Sequence, residues 1–574
     1  MDAEPVHLAE EAEPGPTRRP ARPILTAIIV AVVSALVIAA TVREGQRRGL
    51  DHTIDGLENN QWAIAVALSD MIYHLNAGYV GYATVYNKLI EIWYRGATDV
   101  HDPIIEQKND KDRDLMNEAL RAAASLGPQQ PGYVGDRTLI NLVYSDVGIV
   151  DFDKLAFRVF GLRIESLYYT FFLLLAMSAA AYLLVFWNDL GAKITLLFAL
   201  FSFLIEPFTL ILSSPQMPTY PGPRHGSTLV LIPALHFAFL VLRRRRLSIM
   251  AVCASLVQLA ILSLAISIRV SASWALFFVV AAAFWVAFRD RLRQPKGSRS
   301  WSVFVRNVAC WPVILLLGGF FGYNQYVKFK LHPVYFTDDV MPYHGFWHST
   351  YIGLLTAHMY GLPGFISSNS IAPQVARNQG FDAAGYVAAL EYLRDSHFIR
   401  PPDPFPGKSI PPGFYSDWSG AVKWKLEDDI MRRVVTKIWL RHPLLTLRLY
   451  ALYNPGHAIQ AVSRAIEGAP TRTWLWLLIL GGLTGLGIVW AGGRAAEVET
   501  AWCIVSPILA AIPFAALPNI MAYSQFHTIA DLFLVTLALL QVLVCAVAVL
   551  IANGISMVWS PGAVPQGQGT PRGP

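Results

Sequence analysis

The densest group of titratable side chains beside an apolar run is Leu331–His358, LHPVYFTDDVMPYHGFWHSTYIGLLTAH. It sets Asp338, Asp339, His332, His344, His348 and His358 among aromatic residues. If Pro342–Tyr351 is helical, His344 and His348 fall one turn apart on one face. Two imidazoles at that spacing suit metal ligation or a polar clamp on a substrate. Asp338 and Asp339, just upstream, would add oxygen ligands for a divalent cation that bridges to phosphate. The stretch is not an H-E-x-x-H motif, because Gly345, Phe346 and Trp347 stand between the histidines. The same residues also suit an interfacial helix with Trp347, Tyr351 and the histidines at headgroup level.

Other candidates are spread along the chain. Glu206 lies within the apolar text FLIEPFTL, where a carboxylate is costly and normally faces a cavity or a partner. Pro207 frees a carbonyl one turn earlier, as in a broken helix that lines a cavity. A protonated, hydrogen-bonded structural acid is the alternative. Arg224 and His225 sit in the Pro-rich loop SSPQMPTYPGPRHG, where a guanidinium can grip a phosphate bidentately or simply anchor to headgroups. Glu44, Asp51 and Asp55 follow the first apolar run; one of them suits a general base near a membrane surface, although acids in a solvated loop are ordinary. Asp146, Asp151 and Asp153 form a further acidic group, in which Asp151 or Asp153 would cap the helix entering the membrane. His527 and Asp531, one turn apart, are explained by a His–Asp hydrogen bond, and His236 by a bond between helices.

The elements that must position these residues are membrane helices. The chain is 54% hydrophobic and 15% charged, against about 25% charged in soluble proteins. Its apolar runs reach the roughly 20 residues that cross a bilayer core of about 30 Å. We expect an all-α polytopic membrane protein with about ten transmembrane helices and two mainly helical non-cytoplasmic insertions. The spans are 24–42, 166–187, 194–213, 227–242, 249–268, 273–288, 303–326, 473–489, 500–517 and 528–551, and the insertions are 43–165 and 327–472. Residues 1–23 and 552–574 read as disordered cytoplasmic ends. The first run is longer than a signal-peptide core of about 7–15 residues and reads as an uncleaved anchor.

The alternation has an internal check. One set of short loops holds Arg18, Arg19, Arg22, Lys193, the run Arg243–Arg246, Arg289, Arg291, Arg293, Lys296, Arg299, Arg494 and Arg572. The opposite set holds only Arg224 and Arg269. Basic residues mark the cytoplasmic side, so both termini belong there and both insertions face out, as in a bacterial inner membrane protein. The net charge of +6 is thus accounted for without nucleic acid. Cys253, Cys310, Cys503 and Cys545 all lie in expected spans, which excludes a disulfide framework or a cysteine metal site from the insertions. Near the end of the second insertion, WKLEDDIMRRVVTKIWLRHPLLTLRLYALYNPGH reads as two helices broken at Pro443, with a cationic face suited to anionic lipid. The Pro-rich run RPPDPFPGKSIPPGFYSDW suits a docking loop or a lid.

In layout the chain resembles the GT-C class of membrane glycosyltransferases: a cytoplasmic N-terminus, a large outer loop after the first span, and many further spans. The resemblance implies a sugar taken from a polyprenyl-phosphate donor, with an envelope glycan or lipid as acceptor. It implies a catalytic acid in the first outer loop, matched here by Glu44, Asp51 or Asp55, and a basic group on the lipid phosphate, matched by Arg224 and His225. Glu206, Asp338, Asp339, His344 and His348 then belong to the substrate side, with a divalent cation on Asp338, Asp339, His344 and His348 if one is used. Two other readings stand beside it: a transporter or flippase of amphiphilic anions, and a non-enzymatic envelope assembly protein.

Overall fold

A computed structural model describes residues 22–47, 49, 57–73, 83–93, 113–126, 147–213, 223–293, 301–330, 346–379, 381–395, 424–467, 471–491, 494–521 and 526–558. Among these residues there are helices and turns and no strand. The first helices are α1 (Arg22–Arg47), α2 (Leu57–Tyr73), α3 (Ala83–Trp93), α4 (Arg113–Ala124), α5 (Val147–Phe160), α6 (Glu165–Phe186) and α7 (Leu190–Ser213). A 3-10 segment, Pro223–Val230, leads into α8 (Leu231–Leu242), followed by α9 (Ile249–Ile268), α10 (Trp274–Arg293), α11 (Trp301–Val308) and α12 (Trp311–Lys330). Next come α13 (Phe346–Tyr360), α14 (Ala372–Gln379), α15 (Phe381–Asp395), α16 (Trp424–Arg441) and α17 (Pro443–Arg448). A π-helical turn, Leu449–Tyr453, joins α17 to α18 (Asn454–Glu467), and α19 (Thr471–Ala491), α20 (Arg494–Met521) and α21 (Phe526–Val558) close the chain.

Among the described residues, six helical stretches are long and apolar enough to cross a membrane: Leu25–Arg47, Glu165–Phe186, His225–Leu242, Ile249–Ile268, Val270–Leu292 and Ala530–Ala552. Leu190–Ile205, Trp474–Ile488 and Ser506–Met521 are shorter apolar helices. The chain is therefore an all-α, multi-pass membrane protein. The stretch 303–326 is two helices, α11 and α12, divided at Ala309–Cys310 with Pro312 in the first turn of the second.

Polar contacts show which helix ends meet. Lys193 at the start of α7 donates to Thr26 Oγ1 near the start of α1 (2.8 Å). Asp189, between α6 and α7, pairs with Arg243 after α8 (2.9 Å). Arg244 pairs with Asp290 near the end of α10. Trp311 at the start of α12 donates to the Arg245 carbonyl (2.8 Å). One end of the bundle thus gathers the basic turns. At the opposite end Tyr168, at the start of α6, donates to the carbonyl of Val42 near the end of α1 (2.8 Å), and Trp274, at the start of α10, donates to Asp531 near the start of α21 (3.0 Å).

Inside the apolar layer, polar side chains pair across helices. Ser178 donates to Gln258 Oε1 (2.6 Å), and the Gln258 amide donates back to the Ser178 carbonyl (2.7 Å). His236 Nε2 meets Ser255 Oγ at 3.1 Å, the helix-to-helix bond expected of it. Gln541 of α21 donates to Ser202 Oγ of α7 (3.2 Å). Close approach is also built in. A Cβ on Gly481 would meet Val544, and one on Gly485 would meet the Cys545 carbonyl at 2.8 Å, so this small-xxx-small pair seats α19 on α21.

The helices within 43–165 and within 327–472, the two expected insertions, differ in how they are held. Helices α2–α5 share one continuous apolar core with the bundle, through residues such as Ala67, Leu89, Leu120 and Phe152. Helices α13–α16 pack around a second core that includes Leu354, Val375, Val387, Met431 and Leu449. Helix α18 returns to the first core through Ala458 and Val462, and Asn454 donates to the Ile520 carbonyl at the end of α20 (2.7 Å).

Gly485→Ile should force α19 away from a backbone carbonyl that cannot rotate aside. We expect a loss of about 1–3 kcal/mol, read as a lower thermal unfolding midpoint of the purified protein in detergent; an unchanged midpoint would contradict this packing.

Candidate functional site

Several of the sequence candidates belong to elements that pack on α6, whose start lies where α1 finishes. Helix α1 packs on α6 and α7, and the 3-10 segment packs on α5, α6 and α9. Gly45 lets them close: a Cβ there would lie 2.0 Å from Tyr168 Oη. Tyr168 holds the last turn of α1, and the Gln46 amide adds a bond to Tyr169 Oη (2.9 Å). Glu44 is thereby set beside the start of α6. Its carboxylate accepts from Arg47 Nε (2.8 Å) and Nη2 (2.6 Å) and is 23% exposed.

Glu206 lies in α7 toward the same end, and Arg224 and His225 open the 3-10 segment. The His225 ring packs 5.7 Å from that of Phe171 in α6. The side chains of Glu206 and Arg224, and all of Asp51, Asp55, Asp338, Asp339 and His344, lie outside the described residues.

Helix α5 adds two features to this end. Lys154 pairs with Asp70 of α2 and with Asp151 (3.8 Å), locking α5 to α2. Asp153 lies within the buried face of α5 rather than at a cap, because α5 ends at Gly161 (φ +87°) before α6 begins. Asp153 is fully buried, and neither carboxylate oxygen has a hydrogen-bond partner among the described residues. Burial holds its pKa well above the usual carboxylate range, favouring the neutral acid.

His348 is placed elsewhere. It lies in α13, in the core of the second insertion, with Nδ1 2.5 Å from Glu427 Oε1 of α16. The two side chains are 3% and 1% exposed. One short hydrogen bond thus joins α13 to α16. Asp428 completes the junction by accepting from the backbone N–H of Trp347 (2.9 Å) and His348 (3.2 Å), which satisfies orphan donors at the start of α13. Gly385 makes room for the ring, since its Cβ would lie 2.5 Å from His348 Cε1. Tyr351 is buried in the same core. His348 therefore latches α13 to α16 and does not line an open surface. His358 is a turn former: its Nδ1 accepts from the N–H of Gly364 (3.1 Å) and Ile366 (3.3 Å).

Sequence reasoning missed Glu427 and Asp428, 79 and 80 residues from His348, because nothing local links them to it. It also missed that Tyr168 and Gly45 fix the position of Glu44; a glycine so near the end of an apolar helix was the available signal. Asp531 accepts from Trp274 in a bond the His527–Asp531 spacing did not suggest. Among the described residues no group of three or more His, Cys, Asp or Glu is placed to hold a metal ion. Comparison with known proteins finds no matching family model, no significant match among curated sequences and no significant match among solved structures.

Truncating one partner of the buried latch, as in His348→Ala or Glu427→Ala, should cost about 3–5 kcal/mol by stranding the other. The check is protease resistance of the second insertion in the full-length protein, which should fall sharply. His358 gives a pH dependence. Burial lowers its pKa from 6.5, and its acceptor role requires the neutral ring. The unfolded segment takes up a proton more readily, so this contribution is fully present above about pH 6.5 and is lost as pH falls below it. Hydrogen exchange at Gly364 and Ile366, corrected for the intrinsic rate, should accelerate in that window; protection independent of pH would refute it.

Proposed function

We propose that this chain is an integral-membrane glycosyltransferase that moves a sugar from a polyprenyl-phosphate donor to an envelope glycan or lipid at the membrane surface. The observation that supports this reading best is that α1, α7 and the 3-10 segment, which carry Glu44, Glu206, and Arg224 with His225, each pack on α6. Glu44, held by Tyr168 against α6, acts as general base on the acceptor hydroxyl. The hydroxyl oxygen attacks the anomeric carbon, the bond to the donor phosphate breaks, and Arg224 with His225 neutralises the departing phosphate. Asp51 and Asp55 are the other acids of the same loop, and Asp338, Asp339 and His344 belong to the acceptor side or to a divalent cation there.

The same proposal includes ten spans, both termini in the cytoplasm of a bacterial cell, and both insertions on the outer face of the inner membrane. The gathering of Lys193, Arg243, Arg244 and Asp290 at one bundle end supports it, because basic turns face the cytoplasm. Lipid is the surrounding partner. Leu440, Leu444, Leu447 and Leu452 are each at least 64% exposed, beside Arg432, Arg433, Lys437 and Arg441, as suits helices that lie along the membrane surface.

A second reading, a non-enzymatic assembly protein, draws on the second insertion, which has its own core and keeps His348 sealed within it. One comparison separates the two. Envelope lipids and glycans of a strain lacking the gene are compared by mass spectrometry with those of its parent. A transferase predicts loss of one sugar, restored by the intact gene and not by Glu44→Gln or Arg224→Ala, each expected to lower transfer at least about a hundredfold. Unchanged glycans, or full rescue by both variants, would reject the transferase and leave the assembly reading.

A further inference from the structure

At the end of the bundle opposite Glu44, the chain turns from α8 into α9 through four consecutive arginines, Arg243–Arg246. The turn is a Schellman motif: Arg245 N–H bonds to the Leu240 carbonyl and Arg244 N–H to the Val241 carbonyl, both at 3.1 Å. The left-handed position of this motif is usually glycine, because Cβ crowds the carbonyl there. Here it is Arg244, at φ +48°. The turn thus carries a guanidinium at a backbone position that disfavours any side chain.

The four side chains divide into two pairs. Arg243 is satisfied by Asp189 and Arg244 by Asp290. Arg245 lies over the Phe186 ring, 5.6 Å from its centroid, with Nε buried and without a hydrogen-bond partner among the described residues. Arg246 is exposed. All four line one cavity of about 530 Å³, which Asp189 and the start of α9 at Ser248 and Met250 also border. The one lining carboxylate is already paired with Arg243, so positive charge is in excess. Ser248 caps the amide of Ala251 (3.2 Å), and first-turn amides of α9 add to the donors that border the space.

We propose that this cavity binds a phosphate group, held by Arg245 and Arg246 and framed by the fixed pair Arg243 and Arg244. A phosphate offers several acceptor oxygens to forked guanidinium donors and a charge that offsets the excess. This site is separate from the proposed transfer site. Its ligand is either the headgroup phosphate of an anionic lipid in the adjoining leaflet or a soluble phosphate, and the two are separable.

The test compares the full-length protein with Arg245→Gln/Arg246→Gln and with Arg291→Gln, a control that removes a charge from α10 without touching the cavity. Native mass spectrometry after mixing with phosphatidylglycerol reads a lipid site. Thermal unfolding in phosphatidylcholine nanodiscs, titrated with inorganic phosphate, reads a soluble one. Tighter binding by wild type and control than by the double variant, by at least about tenfold in either arm, supports the site and names the source. Equal binding by all three proteins, or none by any in both arms, overturns it. Should the double variant not fold, Arg246→Gln alone, at an exposed position, carries the same comparison.

Discussion

In the hydrocarbon layer no water is present to satisfy a polar group, so every such group must find its partner within the protein. That constraint shapes the whole bundle. The backbone is helical throughout the described spans, and buried side-chain amides and hydroxyls are used as ties between helices: Ser178 with Gln258, His236 with Ser255, Gln541 with Ser202. Lipid tails are as apolar as leucine, so burial alone does not bring membrane helices together. These hydrogen bonds, and the close approach that Gly481 and Gly485 permit, supply what the hydrophobic effect does not.

The ties give the bundle two unlike ends. At one, Asp189 and Asp290 neutralise Arg243 and Arg244 and leave Arg245 and Arg246 in an electropositive cavity. At the other, Tyr168 and Gly45 pin the last turn of α1, while α5 packs on α6 and α9 with Asp153, held toward its neutral form, on its buried face. The first insertion belongs mechanically to this end because its helices share the bundle core. The second insertion is a body with its own core, joined to the bundle by the run from α16 to α18, where Leu440, Leu444, Leu447 and Leu452 face outward among arginines.

Some of this was legible before any coordinates. Apolar runs marked membrane-length helices, because bilayer thickness acts on local sequence. The break at Pro443 was legible for the same local reason: proline starts a helix and cannot continue one. His348 shows the limit. Its spacing from His344 suits a ligand pair, yet in the fold its ring is sealed against Gly385 and bonded to Glu427, neither near it in sequence. Asp153 shows it too, since an acid near a helix start reads as a cap until the helix is seen to run past it.

What the sequence by itself determined is the class of object, an all-helical membrane protein, and which side chains are chemically able to act. Those properties depend on residue type and on periods of a few residues. What only the tertiary structure decided is which of those side chains share a space. It brought the end of α1 to the start of α6, turned four arginines onto one cavity, and closed His348 inside a core. The reason is physical: a contact between residues 42 and 168, or 348 and 427, depends on how whole helices pack, and no local pattern encodes that packing.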